Sequence, residues 1–145
     1  MTAVSGERLL TDKIIDTIAA ADIPCGDGEQ PAGVGWQGNP DASVFVPFTV
    51  LHPIAGGVTT GTMDDWVADA QLIYQVSCHG STRRQCQGLI DAVKPLMIGL
   101  HSATVTGWTV FHVDIDMNGG ATRMDTVQPA QWWGFPRYRF TLTPS

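Results

Sequence analysis

Residues 70–97 read AQLIYQVSCHGSTRRQCQGLIDAVKPLM, and within this stretch the spacing of apolar residues changes once. Up to His79, Leu72, Tyr74, Val76 and Cys78 alternate with Gln71, Gln75, Ser77 and His79, a period of two broken only by Ile73. Alternation of this kind belongs to a strand with one face buried. Beyond Thr82 the period lengthens: Cys86, Leu89, Ile90, Val93 and Met97 recur at i, i+3, i+4, i+7 and i+11, one stripe of a helix. Thr82 and Gln85 stand in the T-x-x-Q relation of a capping box, which fixes where that helix begins. Pro95 predicts a kink in its last turn, and Gly99 is a natural stop. A strand that runs straight into a helix predicts a sheet with that helix laid on it.

Working outward, residues 7–21 predict a first amphipathic helix, with Leu10, Ile14, Ile18 and Ala21 on one stripe and Pro24 beyond its end. The seventeen residues 24–40, PCGDGEQPAGVGWQGNP, hold five Gly and three Pro and read as a long loop. Residues 43–51 predict a strand with Pro47 at an edge or bulge, and 52–69 a second long connection. On the C-terminal side, 107–117 alternate as a strand, with Thr109, Phe111, Val113, Ile115 and Met117 on one face and Trp108, Val110, His112, Asp114 and Asp116 on the other. Asn118-Gly119-Gly120 signals a hairpin to a short return strand near 122–127. A loop bearing Trp132 and Trp133 and a last strand over 137–143 complete the chain. The order predicts an α+β fold, an antiparallel or mixed β-sheet flanked by two helices, in a single domain spanning 1–145.

At 145 residues with 43% apolar content, the chain can bury one core and is too short for two ordinary domains. No apolar run approaches the ~18 residues of a spanning helix, so no membrane partner is expected. The first ten residues carry Glu7 and Arg8 and no apolar segment, so the expectation is a protein without a secretory signal, assembled in the cytoplasm. Three cysteines, Cys25, Cys78 and Cys86, at unpatterned spacing do not read as a disulfide framework. The net charge of −6 works against a surface that binds nucleic acid through its phosphates. The charge is also unevenly spread. Residues 1–70 hold ten acids and two bases, Arg8 and Lys13, whereas 71–145 hold four acids and six bases. That split suits a head-to-tail contact between copies.

Asp114 and Asp116 share a strand face and would be the starting point for a metal-dependent hydrolase, yet no third acid stands at ligand spacing. Opposition by Arg137 and Arg139 on a neighbouring strand is the simpler expectation. His52, His79, His101 and His112 are scattered over separate elements, without metal-ligand spacing to a cysteine. Neither GDGE at 26–29 nor GGVTTG at 56–61 has the G-K-[ST] of a phosphate loop. No catalytic residue, metal ligand or cofactor is therefore expected. Trp36, Trp66, Trp132 and Trp133 all fall in expected loops, where indoles either fold onto the core or anchor an interface.

Residues 26–57, GDGEQPAGVGWQGNPDASVFVPFTVLHPIAGG, together with 70–97, resemble the tail terminator (tail completion, or minor tail) proteins of long-tailed phages of actinobacterial hosts. The similar phrases are G-D-G-x-x-P-x-G-V-G-W, V-L-H-P-I followed by glycines, and Y-Q-V-x-x-x-G-x-T-R-x-Q. The resemblance implies a non-enzymatic virion subunit of α+β fold that forms a ring, a hexamer by analogy, on the head-proximal end of the tail tube. Such a ring stops addition of the major tail tube protein and joins the neck or head-tail connector protein, while DNA passes through unbound. Another neck protein is the alternative within the same machine. Interface candidates are then Trp36, Trp66, Trp132, Trp133, Arg83, Arg84, Arg137 and Arg139. The acids of the two expected loops, Asp27, Glu29, Asp64, Asp65 and Asp69, are candidates to line the bore.

Overall fold

The computed structural model describes residues 7–37, 44–59, 69–124 and 130–144. Along the chain the elements are α1 (Glu7–Ala20), β1 (Cys25–Asp27), β2 (Gly35–Gln37), β3 (Val44–Val46), β4 (Phe48–Thr59) and β5 (Asp69–Gly80). They continue as α2 (Arg83–Ile98), β6 (Thr104–Val105), β7 (Trp108–Met117), β8 (Thr122–Met124), β9 (Gln131–Gly134) and β10 (Arg137–Pro144). The fold is α+β: two helices with a curled, mixed, half-barrel sheet of eight strands, plus a small hairpin. The sheet runs β1-β4-β5-β10-β7-β6, with β9 paired to β5 beyond the end of β10 and β8 paired to β9. Among the described strands of this sheet, only the β1–β4 pair is parallel.

Both helices form where the apolar stripes place them. Leu10, Ile14 and Ile18 of α1 and Val93 and Met97 of α2 are wholly buried against Leu72, Tyr74, Val76, Cys78, Tyr138, Phe140 and Leu142, and Cys86 is buried with its thiol on the Cys78 carbonyl. Each large aliphatic side chain buried this way contributes roughly 1.5–3 kcal/mol, which outweighs the weak intrinsic preference of so short a helix. A 2.9 Å hydrogen bond between the hydroxyls of Thr11 and Tyr74 ties α1 to the middle of the sheet. The first helix stops before Pro24. Asp22 takes φ 63°, and the amides of Asp22 and Ile23 donate back to the carbonyls of Ala19 and Ile18, a Schellman end built on aspartate instead of glycine. At the start of α2 the Thr82 hydroxyl accepts from the Gln85 amide at 3.1 Å, while the Gln85 side chain reaches one residue further than a capping box requires, to the amide and hydroxyl of Ser81.

Four expectations are corrected. The 24–40 loop contains two strands: β1 extends the sheet beside β4, and β2 pairs with β3 as a hairpin. The connection expected from His52 is strand as far as Thr59, because β4 stays paired with β5 through a bulge at Ile54. β8 does not return along β7; it pairs with β9, so the Asn118-Gly119-Gly120 segment turns the chain away from its own strand. Its Gly119 lies so close to Phe135 that a Cβ would sit 2.5 Å from the Phe135 carbonyl carbon. Finally, β7 does not alternate throughout. Val110 opposes Leu142 while His112 opposes Thr141, so Phe111 is an extra, bulged residue, and a second shift near Arg137 makes Asp116 another. The first bulge changes which residues face the helices: Trp108 and Val110 are buried before it and Val113 after it, whereas Phe111 is 63% exposed.

Candidate interaction surface

The helices cover one face of the sheet, and the opposite face holds the candidate site. At one end of this face, six rings follow one another from the hairpin to β9. Trp36 meets Phe45 edge-on at 5.2 Å, and Phe45 stacks on Phe48 at 6.2 Å. Phe48 lies on His79 at 4.5 Å, His79 stacks with Trp133 at 6.3 Å, and Trp133 tilts against Phe135 at 4.8 Å. The run exists because Phe48 opposes His79 across β4 and β5, and His79 opposes Trp133 across β5 and β9. Val34, Phe45, Phe48 and Val50, with Trp36 and Val46 packed against them, form a second small core that holds the hairpin to the sheet. A two-stranded hairpin is marginal by itself, so this packing is what keeps it in place.

Two polar atoms are sealed into the aromatic run without a hydrogen-bond partner, Trp36 Nε1 and His79 Nδ1. Burial pushes the His79 pKa down from 6.5 to about 4, with repulsion from His52 adding to it, so the ring is neutral at pH 7. The glycines of the 26–35 segment serve the hairpin's approach. A Cβ on Gly26 would meet the Glu29 carbonyl oxygen at 1.8 Å, and Gly35 enters β2 at φ 79°.

The other end of the face is polar. Arg139 Nη2 donates to Asp116 Oδ1 at 2.5 Å, and His112 Nε2 lies 2.7 Å from Asp114 Oδ1. Arg137 Nε donates to Gln75 Oε1 at 3.1 Å, and Gln75 in turn donates to the Ser77 hydroxyl. Asp116 is thus engaged across strands by Arg139, as expected, whereas Asp114 is engaged by His112 of its own strand and the expected partner Arg137 bonds Gln75 instead. Among the described residues no three of His, Cys, Asp and Glu are close enough to hold a metal ion.

The sequence candidates scatter over the fold. Trp36 and Trp133 belong to the aromatic run, and Trp132 is half-buried beside Trp133 on β9. All three lie on strands, correcting their placement in loops, since main-chain pairing had been invisible in so glycine-rich a sequence. Arg83 and Arg84 are exposed in the first turn of α2, where Arg83 donates to Gln87. Arg137 and Arg139 lie on the open sheet face, bound to their own sheet. Asp27 is an exposed residue of β1 and Glu29 an exposed residue of the following turn, while Asp69 opens β5. Trp66, Asp64 and Asp65 lie outside the described residues. Asp27 and Glu29 thus stand two residues apart, both open to solvent.

The residues that sequence reasoning missed are Phe48 and His79. Each looks like an ordinary strand residue, and only the β4–β5 register makes them neighbours. The cysteines are where their apolar context puts them. Cys78 and Cys86 are fully buried, and burial raises both thiols, Cys86 to about 11, so neither is a nucleophile at neutral pH. Cys25 is half-buried and raised for the same reason. A cleft of about 460 Å³ between α1 and β6, lined by Leu9, Asp12, Lys13, Asp16, Thr104, Val105 and Thr106, is open to solvent. No protein-family model matches the chain, and no curated protein matches it.

Proposed function

We propose that the protein is a phage tail terminator: a non-enzymatic virion subunit that forms a ring, probed first as a hexamer, on the head-proximal end of the tail tube. The observation that carries this reading is the clustering of the three phrases on which the resemblance rests. The G-D-G-x-x-P-x-G-V-G-W residues build β1 and the entry to β2, V-L-H-P-I lies in β4, and Y-Q-V-x-x-x-G-x-T-R-x-Q spans the join from β5 to α2. β1 pairs with β4 and β4 with β5, so the phrases form one continuous spatial unit and not three unrelated loops. In the assembled particle the ring contacts the major tail tube protein on one side and the neck or connector protein on the other. DNA passes through it without specific binding, consistent with the net charge of −6, and no cofactor takes part. The work of such a subunit is done by surfaces; the polar face with Asp114, Asp116 and Arg139 supplies one, and the aromatic run, with Phe45 and Phe48 buried, holds the hairpin beside it.

The test is a null mutant of the phage that encodes the chain. Overlong tails without heads, restored to normal length by the wild-type protein, are expected. Tails of normal length joined to heads in its absence would overturn the reading.

A further inference from the structure

We propose that the sheet continues from one copy of the chain into the next, the outer edge of β7 over 111–117 pairing with the outer edge of β4 over 52–58 of a second copy. This rests on the ring proposed above, for which it supplies the contact. The end strands of the sheet are too short to cover their neighbours: β1 pairs with β4 only at Thr49, Val50 and Leu51, and β6 with β7 only at Thr109 and Trp108. Among the described residues, 52–59 and 111–117 therefore have a strand on one side only. The expected return strand would have covered β7; β8 pairs with β9 instead, and no other described strand covers that edge. A row of unpaired amides and carbonyls is a template for another strand.

Three properties make a second copy the occupant. The open stretches lie at the same height in the sheet. His52 opposes Gln75, which opposes Arg137, which opposes Met117; Gly57 opposes Gln71, which opposes Thr141, which opposes His112. Next, the strands β4, β5, β10 and β7 alternate in direction, so β7 is antiparallel to β4. A copy rotated alongside presents its β4 antiparallel to β7, the pairing already used inside the sheet. A contact between two different edges is head-to-tail, the class of contact from which closed rings are built. Lastly, among the described residues the exposed large apolar side chains are Val44, Ile54, Ile98, Phe111 and Ile115, and three of these five sit on the two open edges. Pro53 and the bulges at Ile54, Phe111 and Asp116 restrict the register and discourage indiscriminate pairing.

Equal height places Pro53 of one copy beside Ile115 of the next, through Tyr74 and Tyr138. The test uses the full chain with Cys25→Ser, carrying either Pro53→Cys or Ile115→Cys; both positions are exposed. The two proteins are mixed at a concentration where native mass shows oligomers, or in purified tails if the free chain is monomeric, and oxidised. A cross-linked dimer in the mixture, at least tenfold above either protein alone, is expected. A dimer of equal yield from either protein alone means a symmetric contact, and assembled oligomers without any cross-link mean a different surface or another protein's strand; either overturns the pairing. Phe111→Lys provides a second measure. Its side chain is 63% exposed, so the melting temperature should hold while self-association weakens tenfold or more; unchanged association overturns the proposal. Normal tails in the null phage together with the expected cross-link would remove the tail function and leave the edge pairing, whereas overlong tails without the cross-link would do the reverse.

Discussion

The imidazole of His79 lies flat on the ring of Phe48, the centroids 4.5 Å apart and the planes inclined by 6°. The pair spans β4 and β5, and Trp133 flanks the same imidazole from β9, so one neutral ring joins three strands on the helix-free face.

This burial makes stability depend on acid. The unfolded chain takes up a proton near pH 6.5 and the folded chain only near about 4, so the unfolded state binds more protons between these values and stability falls as pH drops through that window. Above the window the contribution is fully present. Because the ring is partly open to solvent, the expected loss is on the order of 1 kcal/mol. Denaturant midpoints between pH 7 and 4 measure it, and His79→Phe, which keeps a stacked ring, should flatten the part due to this residue. A variant with an unchanged pH profile would show that His79 protonates freely in the fold.

Two buried tyrosines should respond in opposite directions to loss of their hydroxyl. Tyr138 Oη is buried without a hydrogen-bond partner, and burial raises its pKa. Tyr138→Phe removes an unsatisfied group and is expected to be neutral or to stabilise by up to ~1 kcal/mol, while Tyr74→Phe breaks the bond to Thr11 and costs about 1–2 kcal/mol. Urea unfolding of the two variants distinguishes them.

Adjacent glycines in the turn after β7 provide an internal control. A Cβ on Gly119 would press into the Phe135 backbone at 2.5 Å, whereas one on Gly120 meets nothing within 4 Å. Gly119→Ala should cost ~2 kcal/mol or more, and Gly120→Ala should stay within about 0.5 kcal/mol of wild type. Equal thermal shifts for the two would mean that the chain relaxes around the first.

The four arginine candidates separate into two pairs, Arg137 and Arg139 on the sheet and Arg83 and Arg84 on α2. Arg139 neutralises Asp116 in a sheet that also presents Asp114, so Arg139→Glu would place three carboxylates on one face and cost the single chain ~0.5–1 kcal/mol. Arg83 and Arg84 are exposed on a helix start, and reversing them to Glu should leave folding unchanged or slightly improved. If they serve a head-to-tail contact, as the uneven charge suggests, reversal lowers ring assembly in native mass spectra and in salt titrations. Salt-insensitive rings from the reversed protein would make the charge split incidental.

How much could be read before folding differs from element to element. The two helices and the strands beginning at Asp69 and Arg137 were legible because local periodicity alone decides which side of an element is apolar, and Leu10, Ile14, Ile18, Tyr74, Tyr138 and Phe140 are all wholly buried. The Thr82 cap was equally legible, since both partners lie within one turn. Strands β1, β2 and β9 were not, because they are short, glycine- or tryptophan-bearing, and exist only through hydrogen bonds to β4, β3 and β5. Nor was the exposure of Phe111, which depends on a bulge opposite Thr141 and Leu142 and on nothing in its own neighbours. The sequence by itself determined the α+β class, the core stripes and the acidic, unevenly divided charge, all of which follow from residue type and local spacing. Only the tertiary structure decided that Phe48, His79 and Trp133 stack, that Arg139 is held by Asp116, and that among the described residues two strand edges stand open in the same register, because each depends on register between segments far apart in the chain, and no local pattern specifies register.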